Sequence, residues 1–297
     1  MTPCKPVLFV NSKARRGKEW FDQAEAELKR LGLELAQATR FEDIQALDRD
    51  VRRAIEDGCN LIILGGGDGT FSAVVRHLVR KDVTLGVLPL GTGNAFARDL
   101  EIPANLIEAC KIVVVGLDNP SRIRAVDVGT VNDDIFLNVA TIGLTTKIAK
   151  ALTRDQKKKW GRLVYFASIL RALPEMHAFD LTMTTENGTL KTRSLQVVVG
   201  NGRYHAGPFL LSPIAGIEDG FLDLYVVKTE SKAALLKLAV HLPMGTQGTL
   251  EEVHAERCKK VQLTTTPSLP VTIDGESMTY TPMRLGISPG ALKVIAN

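Results

Sequence analysis

With 297 residues, 45% of them hydrophobic, the chain has enough apolar material for one large domain or two moderate ones, which excludes a disordered polymer. Lys and Arg outnumber Asp and Glu by only 37 to 33, too small an excess to argue for a nucleic-acid partner. Cys4, Cys59, Cys110 and Cys258 lie far apart with no Cys-x-x-Cys spacing, which suggests neither a zinc site nor a disulfide framework and suits a reducing cytoplasm.

The first segment, MTPCKPVLFVNSKARRG, has a short apolar run followed by most of its charges, unlike a secretory signal, and no stretch of the chain is apolar for long enough to span a bilayer. VLFV (7–10), LIIL (61–64) and LGVLPL (85–90) read as strands buried on both faces. Between them, EWFDQAEAELKRLG places Trp20, Ala24, Leu28 and Leu31 at helical spacing, and IQALDRDVRRAIEDG does the same with Ile44, Leu47, Val51 and Ile55. Gly32 and Gly58 stand where helices stop. A third helix, carrying Phe71, Val74, Val75, Leu78 and Val79, follows LIIL. This alternation predicts a doubly wound α/β sheet with its functional loops at the carboxyl ends of the strands.

Near Ile123 to Asp127 the rhythm changes, with no low-complexity linker to mark it. LTMTTENGTLKTRSLQVVVGN sets an Asn-Gly between two β-rich runs, a hairpin signal. FLDLYVV, KKVQLTTT, PVTIDGE and LKVIA add strands, so this half reads as mainly β, a sandwich in outline. WGRLVYFASILRAL and SKAALLKLAVHL are its helices, with Pro174 and Pro243 soon after them.

Three strand-end loops carry the chemistry. GGGDGT (65–70) joins LIIL to a helix, whose N-terminal N–H groups and partial positive charge suit a phosphate, while glycines let that phosphate approach the backbone. Asp68 would repel phosphates unless a cation bridges them or it handles a proton, which points to Mg-nucleotide chemistry. The competing reading is a tight turn in which Asp68 only caps the helix. PLGTGNAFARDL (89–100) repeats the design with Gly91, Thr92, Gly93 and Asn94, and VNSKARRGK (10–18) adds Asn11, Lys13, Arg15 and Arg16. None matches the P-loop or the dinucleotide fingerprint.

In order and spacing, GGGDGT and PLGTGNAFARDL resemble the diacylglycerol kinase catalytic-domain family, which includes sphingosine, ceramide and bacterial lipid kinases. Segments 127–144, 157–173, 201–227 and 270–295 resemble successive blocks of its bacterial members, whereas GGDGT alone is shared with NAD kinases and phosphofructokinases. The resemblance implies a nucleotide-binding α/β domain over 1–124 with 284–297 returning to it, a β-sandwich acceptor domain over 125–283, and an active site in the interdomain cleft. It implies ATP as substrate, Mg2+, and a lipid alcohol such as diacylglycerol as acceptor. Residue by residue, Asn11, Thr39, Gly66, Gly67, Gly69, Thr70, Gly91, Thr92 and Asn94 match the nucleotide site, and Asp68 the magnesium network. Asp274 matches the position of a general base, with Glu276 beside it near the metal, although as a bare sequence Asp-Gly reads as a hairpin turn. Asp219 and Asp223 are candidates for a structural divalent ion.

The chain departs from the bacterial pattern at Ala95, where Asp is usual, and at Ser72 and Ala73, where Asn-Glu is usual. A non-catalytic nucleotide or lipid sensor is therefore the second reading and an NAD kinase-type enzyme the third. Seven basic residues from Lys147 to Arg162 against the single acid Asp155, followed by LVYFASIL, suggest reversible association with the inner face of the membrane, each cation contributing roughly 1 kcal/mol near an anionic surface. A solvated linker before a core helix explains the same run. A homo-oligomer is left open.

Overall fold

The structure is a computed structural model that describes residues 5–13, 17–143, 176–205 and 209–297. It divides into two compact units, Met1–Val128 with Pro289–Asn297, and Gly129–Ser288. The basic run 147–162 and the helix expected over WGRLVYFASILRAL lie outside the described residues.

The first unit alternates β1 (Val7–Asn11), α1 (Gly17–Arg30), β2 (Gln37–Phe41), α2 (Ile44–Glu56), β3 (Leu61–Gly66), α3 (Asp68–Val75), β4 (Thr84–Pro89), α4 (Ala95–Asp99) and α5 (Leu106–Asp118). Its parallel strands run in the order β2-β1-β3-β4, and the end of β18 (Met283–Ile295) joins β4 through the pairs Lys293↔Thr84 and Val294↔Leu85. Leu8, Phe9, Val10, Ile62, Ile63 and Leu64 are sealed from solvent, as strands covered on both faces must be. This is the doubly wound α/β arrangement expected from the sequence.

The helical period holds in α1 and α2, but the phase shifts. In α1 the buried face is Phe21, Ala24 and Leu28, with Trp20 and Leu31 only half-buried. Glu27, on the same face, is held by a two-pronged bond from Arg30 at 2.7 Å on each prong. In α2 Leu47, Val51 and Ala54 are buried and Ile44 is exposed, while Asp43 caps the helix by accepting from Gln45 N and Ala46 N. α3 ends at Val75, short of the apolar pattern, and turns carry Leu78 into the core before the Arg80 N–H donates to Ala291 O at 2.7 Å.

β5 (Ile123–Val131) leads into the second unit, which holds β6 (Asp134–Phe136), β7 (Val139–Gly143), β8 (Phe179–Thr185), β9 (Gly188–Ser194), β10 (Gln196–Gly200), β11 (Tyr204–His205), β12 (Phe209–Leu210) and β13 (Leu222–Val227). After α6 (Lys232–His241) come β14 (Val253–Cys258), β15 (Lys260–Thr266), β16 (Pro270–Ile273), β17 (Glu276–Tyr280) and the start of β18. A six-stranded antiparallel sheet, β14-β13-β10-β7-β16-β17, faces a layer formed by β18, β15, β8 and β9. Val197, Val199, Leu222, Leu224 and Ile142 from one side interleave with Phe179, Leu181, Met183, Leu263 and Leu285 from the other, which makes the expected sandwich. The opposite face of the larger sheet, through Val198 and Tyr225, packs on Leu235 and Leu238 of α6. In the β8–β9 hairpin the two-residue loop is Glu186–Asn187; Gly188 already pairs with Thr185 and takes φ +142°, so the Asn-Gly signal located the turn one residue late.

Candidate active site

Because β1, β3 and β4 are parallel neighbours, their carboxyl ends present Asn11, the 65–70 loop and the 89–94 loop along one edge of the first unit's sheet. The Asn11 side-chain amide donates to Thr70 Oγ1 at 3.2 Å and its oxygen accepts from Lys13 N at 3.0 Å. Leu90 N donates to Gly66 O at 2.8 Å, so the two glycine loops are tied backbone to backbone. They touch more closely at Gly67 and Gly91: a Cβ on Gly91 would stand 2.6 Å from Gly67 Cα. Asn94 occupies the left-handed region at φ 51°, and its amide accepts from Gly91 N at 2.9 Å and donates to Gly91 O at 3.0 Å, closing the second loop on itself.

Asp68 opens α3, and its Oδ1 accepts from Phe96 N at 3.1 Å, at the helix beginning with Ala95. A backbone amide next to Ala95 thus faces the carboxylate. Gly69 is the exception among these glycines, since a Cβ there would meet nothing within 4 Å. Gly66, by contrast, is required sterically, because a Cβ would stand 2.6 Å from Thr70 Cβ. Thr92 is exposed, and Thr39 Oγ1, half-buried on the edge strand β2, accepts from Gln37 Nε2 at 2.8 Å.

Asp274 lies in the second unit, at φ 47° between β16 and β17. Its Oδ1 accepts from Asn138 N and Val139 N at 2.8 and 2.9 Å, its Oδ2 from Leu137 N at 2.8 Å, and its own N–H donates to Val139 O at 2.8 Å. Asn201 completes the bend: its N–H donates to Asn138 O at 2.9 Å and its side chain to Leu137 O at 3.1 Å. Three sequence blocks therefore converge on residues 137–139, whose backbone groups are satisfied by Asp274 and Asn201. Glu276, two residues on, is exposed. Nothing in the sequence pointed to the Asp274–Asn201 clamp, because its members act on backbone atoms of a distant bend.

Asp219 and Asp223, the candidates for a structural ion, both bind Arg257: its Nε meets Asp223 Oδ2 at 3.2 Å and its Nη2 meets Asp219 Oδ2. Burial pushes the Asp223 carboxyl above its usual range, against the opposing hydrogen bond from Ser212 and the charge of Arg257. A guanidinium between the two carboxylates does not fit a divalent ion there. Among the described residues no cluster of three or more His, Cys, Asp or Glu is placed to hold a metal. Burial also pushes the Cys110 and Cys258 thiols up to about 12, which leaves neither as a thiolate nucleophile near neutrality.

The chain thus joins an α/β unit, whose two glycine loops are tied backbone to backbone, to a β-sandwich unit. Residues 5–133 match the diacylglycerol kinase catalytic domain, and residues 138–296 match the YegS C-terminal NAD kinase beta sandwich-like domain. The "Probable lipid kinase YegS-like" protein of Pseudomonas aeruginosa (strain UCBPP-PA14) is 32% identical over 97% of this chain and 93% of its own length. The "Diacylglycerol kinase" of Staphylococcus saprophyticus is 26% identical over 88% and 85%. A crystal structure from Bacillus anthracis str. Sterne, of a protein assigned as a diacylglycerol kinase, superposes with a TM-score of 0.83 at 26% identity over 99% of this chain and 95% of that one. The chain belongs to the diacylglycerol kinase family, with a YegS-type C-terminal domain, and is a lipid kinase by that membership.

Proposed function

We propose that the protein transfers the γ-phosphoryl group of Mg-bound ATP to the hydroxyl of a lipid alcohol, diacylglycerol or a related bacterial lipid. The observation that carries this reading is the pair of locked glycine loops with Gly69 left open at the N-terminus of α3. Phosphoryl transfer asks mainly for positioning and charge neutralisation, and few side chains are needed. Gly66, Gly67, Gly69 and Thr70 hold the phosphates, while Asn11, Thr39, Gly91, Thr92 and Asn94 line the nucleotide. Asp68 suits a magnesium ion that keeps most of its waters and is held by one carboxylate plus substrate phosphates. That ion, when bound, neutralises charge on the phosphates.

The proton of the acceptor hydroxyl is assigned to Glu276. Asp274 stays part of the site as the residue that fixes the 137–139 bend and the Asp-Gly-Glu turn, because three of its four acceptor positions already carry backbone N–H groups. Membrane contact is reversible and peripheral, at the inner face; among the described residues no helix is long and apolar enough to cross a bilayer.

The test is transfer of labelled γ-phosphate to diacylglycerol, monoacylglycerol, sphingosine, ceramide and undecaprenol in mixed micelles, with Asp68→Ala and Glu276→Gln in parallel. We expect one labelled lipid class, and a loss on the order of 10²- to 10⁴-fold in Glu276→Gln, the range of a general base. Nucleotide binding with no labelled lipid from the parent protein would replace this reading with a sensor.

A further inference from the structure

Arg257 lies on β14, the edge of the six-stranded sheet, directly opposite Asp223 of β13 in the antiparallel register. Its guanidinium contacts three neighbours: Asp223 Oδ2, Asp219 Oδ2, and the Phe221 ring, whose centroid lies 4.8 Å from Cζ. The other oxygen of Asp219 accepts from Phe221 N at 2.9 Å, and Lys259 Nζ stands 5.3 Å from the same ring. Asp223 is 4% exposed, so its charge needs a partner within the protein. Both carboxylates of the 219–223 turn are thus engaged by one fixed cation, and a second cation stands over the Phe221 ring.

We propose that Arg257 is the built-in counter-cation of this turn and stands in for a divalent ion there, so that Asp219 and Asp223 need no structural metal. A doubly charged ion seated on the same oxygens would have to displace the guanidinium and sit beside it, which like-charge repulsion opposes. The two-pronged, planar group also fixes direction as well as charge, which a lysine does not reproduce.

The test is thermal unfolding of the full chain without nucleotide, in EDTA and in millimolar MgCl2 or CaCl2, for the parent protein, Arg257→Ala, Arg257→Lys and Asp219→Asn. We expect the same Tm for the parent protein in all three buffers. Arg257→Ala should fall by roughly 4 °C or more in EDTA and recover part of that with the divalent ion, because removing the guanidinium uncovers the carboxylates. Arg257→Lys should fall less and gain little from the ion. A parent Tm that rises with Mg2+ or Ca2+, and no longer rises in Asp219→Asn, would overturn the proposal. So would an Arg257→Ala protein as stable in EDTA as its parent. Should Arg257→Ala not fold, the parent and Asp219→Asn curves decide the matter alone.

Discussion

A methyl group on Gly91 would stand 2.6 Å from both Gly67 Cα and Asn94 Oδ1, and the backbone at Gly67 has nowhere to retreat because Leu90 N is bonded to Gly66 O. Gly91→Ala should therefore part the two loops by a few tenths of an ångström or more and cost phosphoryl transfer about 10²-fold, read in a turnover assay. Gly69→Ala separates a ligand's need from the fold's need. Its Cβ meets no protein atom, so Tm should hold while ATP affinity, measured by calorimetry, drops. If both Tm and affinity are unchanged, Gly69 is not where the phosphates approach. Asp274→Asn offers the converse. An amide can turn only one oxygen toward the three N–H groups of residues 137–139, so the second unit should lose about 1 to 3 kcal/mol in urea unfolding. Glu276→Gln, at an exposed position, should lose none.

Beside packing, a side-chain contact links α2 to the turn that follows α3. His77 Nε2, just past the end of α3, lies 2.6 Å from Asp48 Oδ1 on α2. Burial raises the Asp48 carboxyl, but the hydrogen bond and charge of His77 and the charges of Arg52 and Arg76 more than offset it, and hold the group below the usual carboxylate range. A depressed carboxyl contributes stability that is fully present above its unfolded value, about 4, and is lost as pH falls through its lower folded value. The stability curve of the parent protein should therefore drop more steeply below about pH 4 than that of Asp48→Asn, measured by urea midpoints across the acid range. A parallel pair of curves would remove this assignment.

Elements also show what sequence reveals and what it hides. The glycine loops were legible because their signal is local, a strand end, a run of glycines and a helix start within a few residues. β2 was not, since an exposed edge strand reading QATRF has no alternating apolar face. Trp20 and Phe21 both lie within the apolar arc that Ala24 and Leu28 define, and only tertiary packing selects between adjacent positions. Asp274 and its bend are 135 to 137 residues apart, and Arg257 reaches Asp219 and Asp223 across 38 and 34 residues. Spacing rules do not extend that far, so the clamp and the counter-cation become visible only when strands are paired.

At the scale of the whole molecule, the first unit is discontinuous. Residues 289–297 supply Leu292, Val294 and Ile295, each sealed from solvent, and pair Lys293 and Val294 with β4. Three such side chains are worth about 1.5 to 3 kcal/mol each on burial, against a total stability of about 5 to 15 kcal/mol for an ordinary domain. Deleting residues 289–297 should therefore leave the first unit largely unfolded at room temperature, seen as lost helical circular dichroism and rapid proteolysis of residues 5–128. Retention of native helix content would mean that β18 is dispensable to that unit.

The same β18 carries a consequence for the making of the protein. Residues 289–297 leave the ribosome only after every residue of both units' remaining elements has been synthesised, so β4 waits with an open edge while the sandwich strands emerge. An unpaired parallel edge is a template for stray strands. Slowing translation over the last β-strands should lengthen that exposure, read as a larger aggregated fraction of newly made chain.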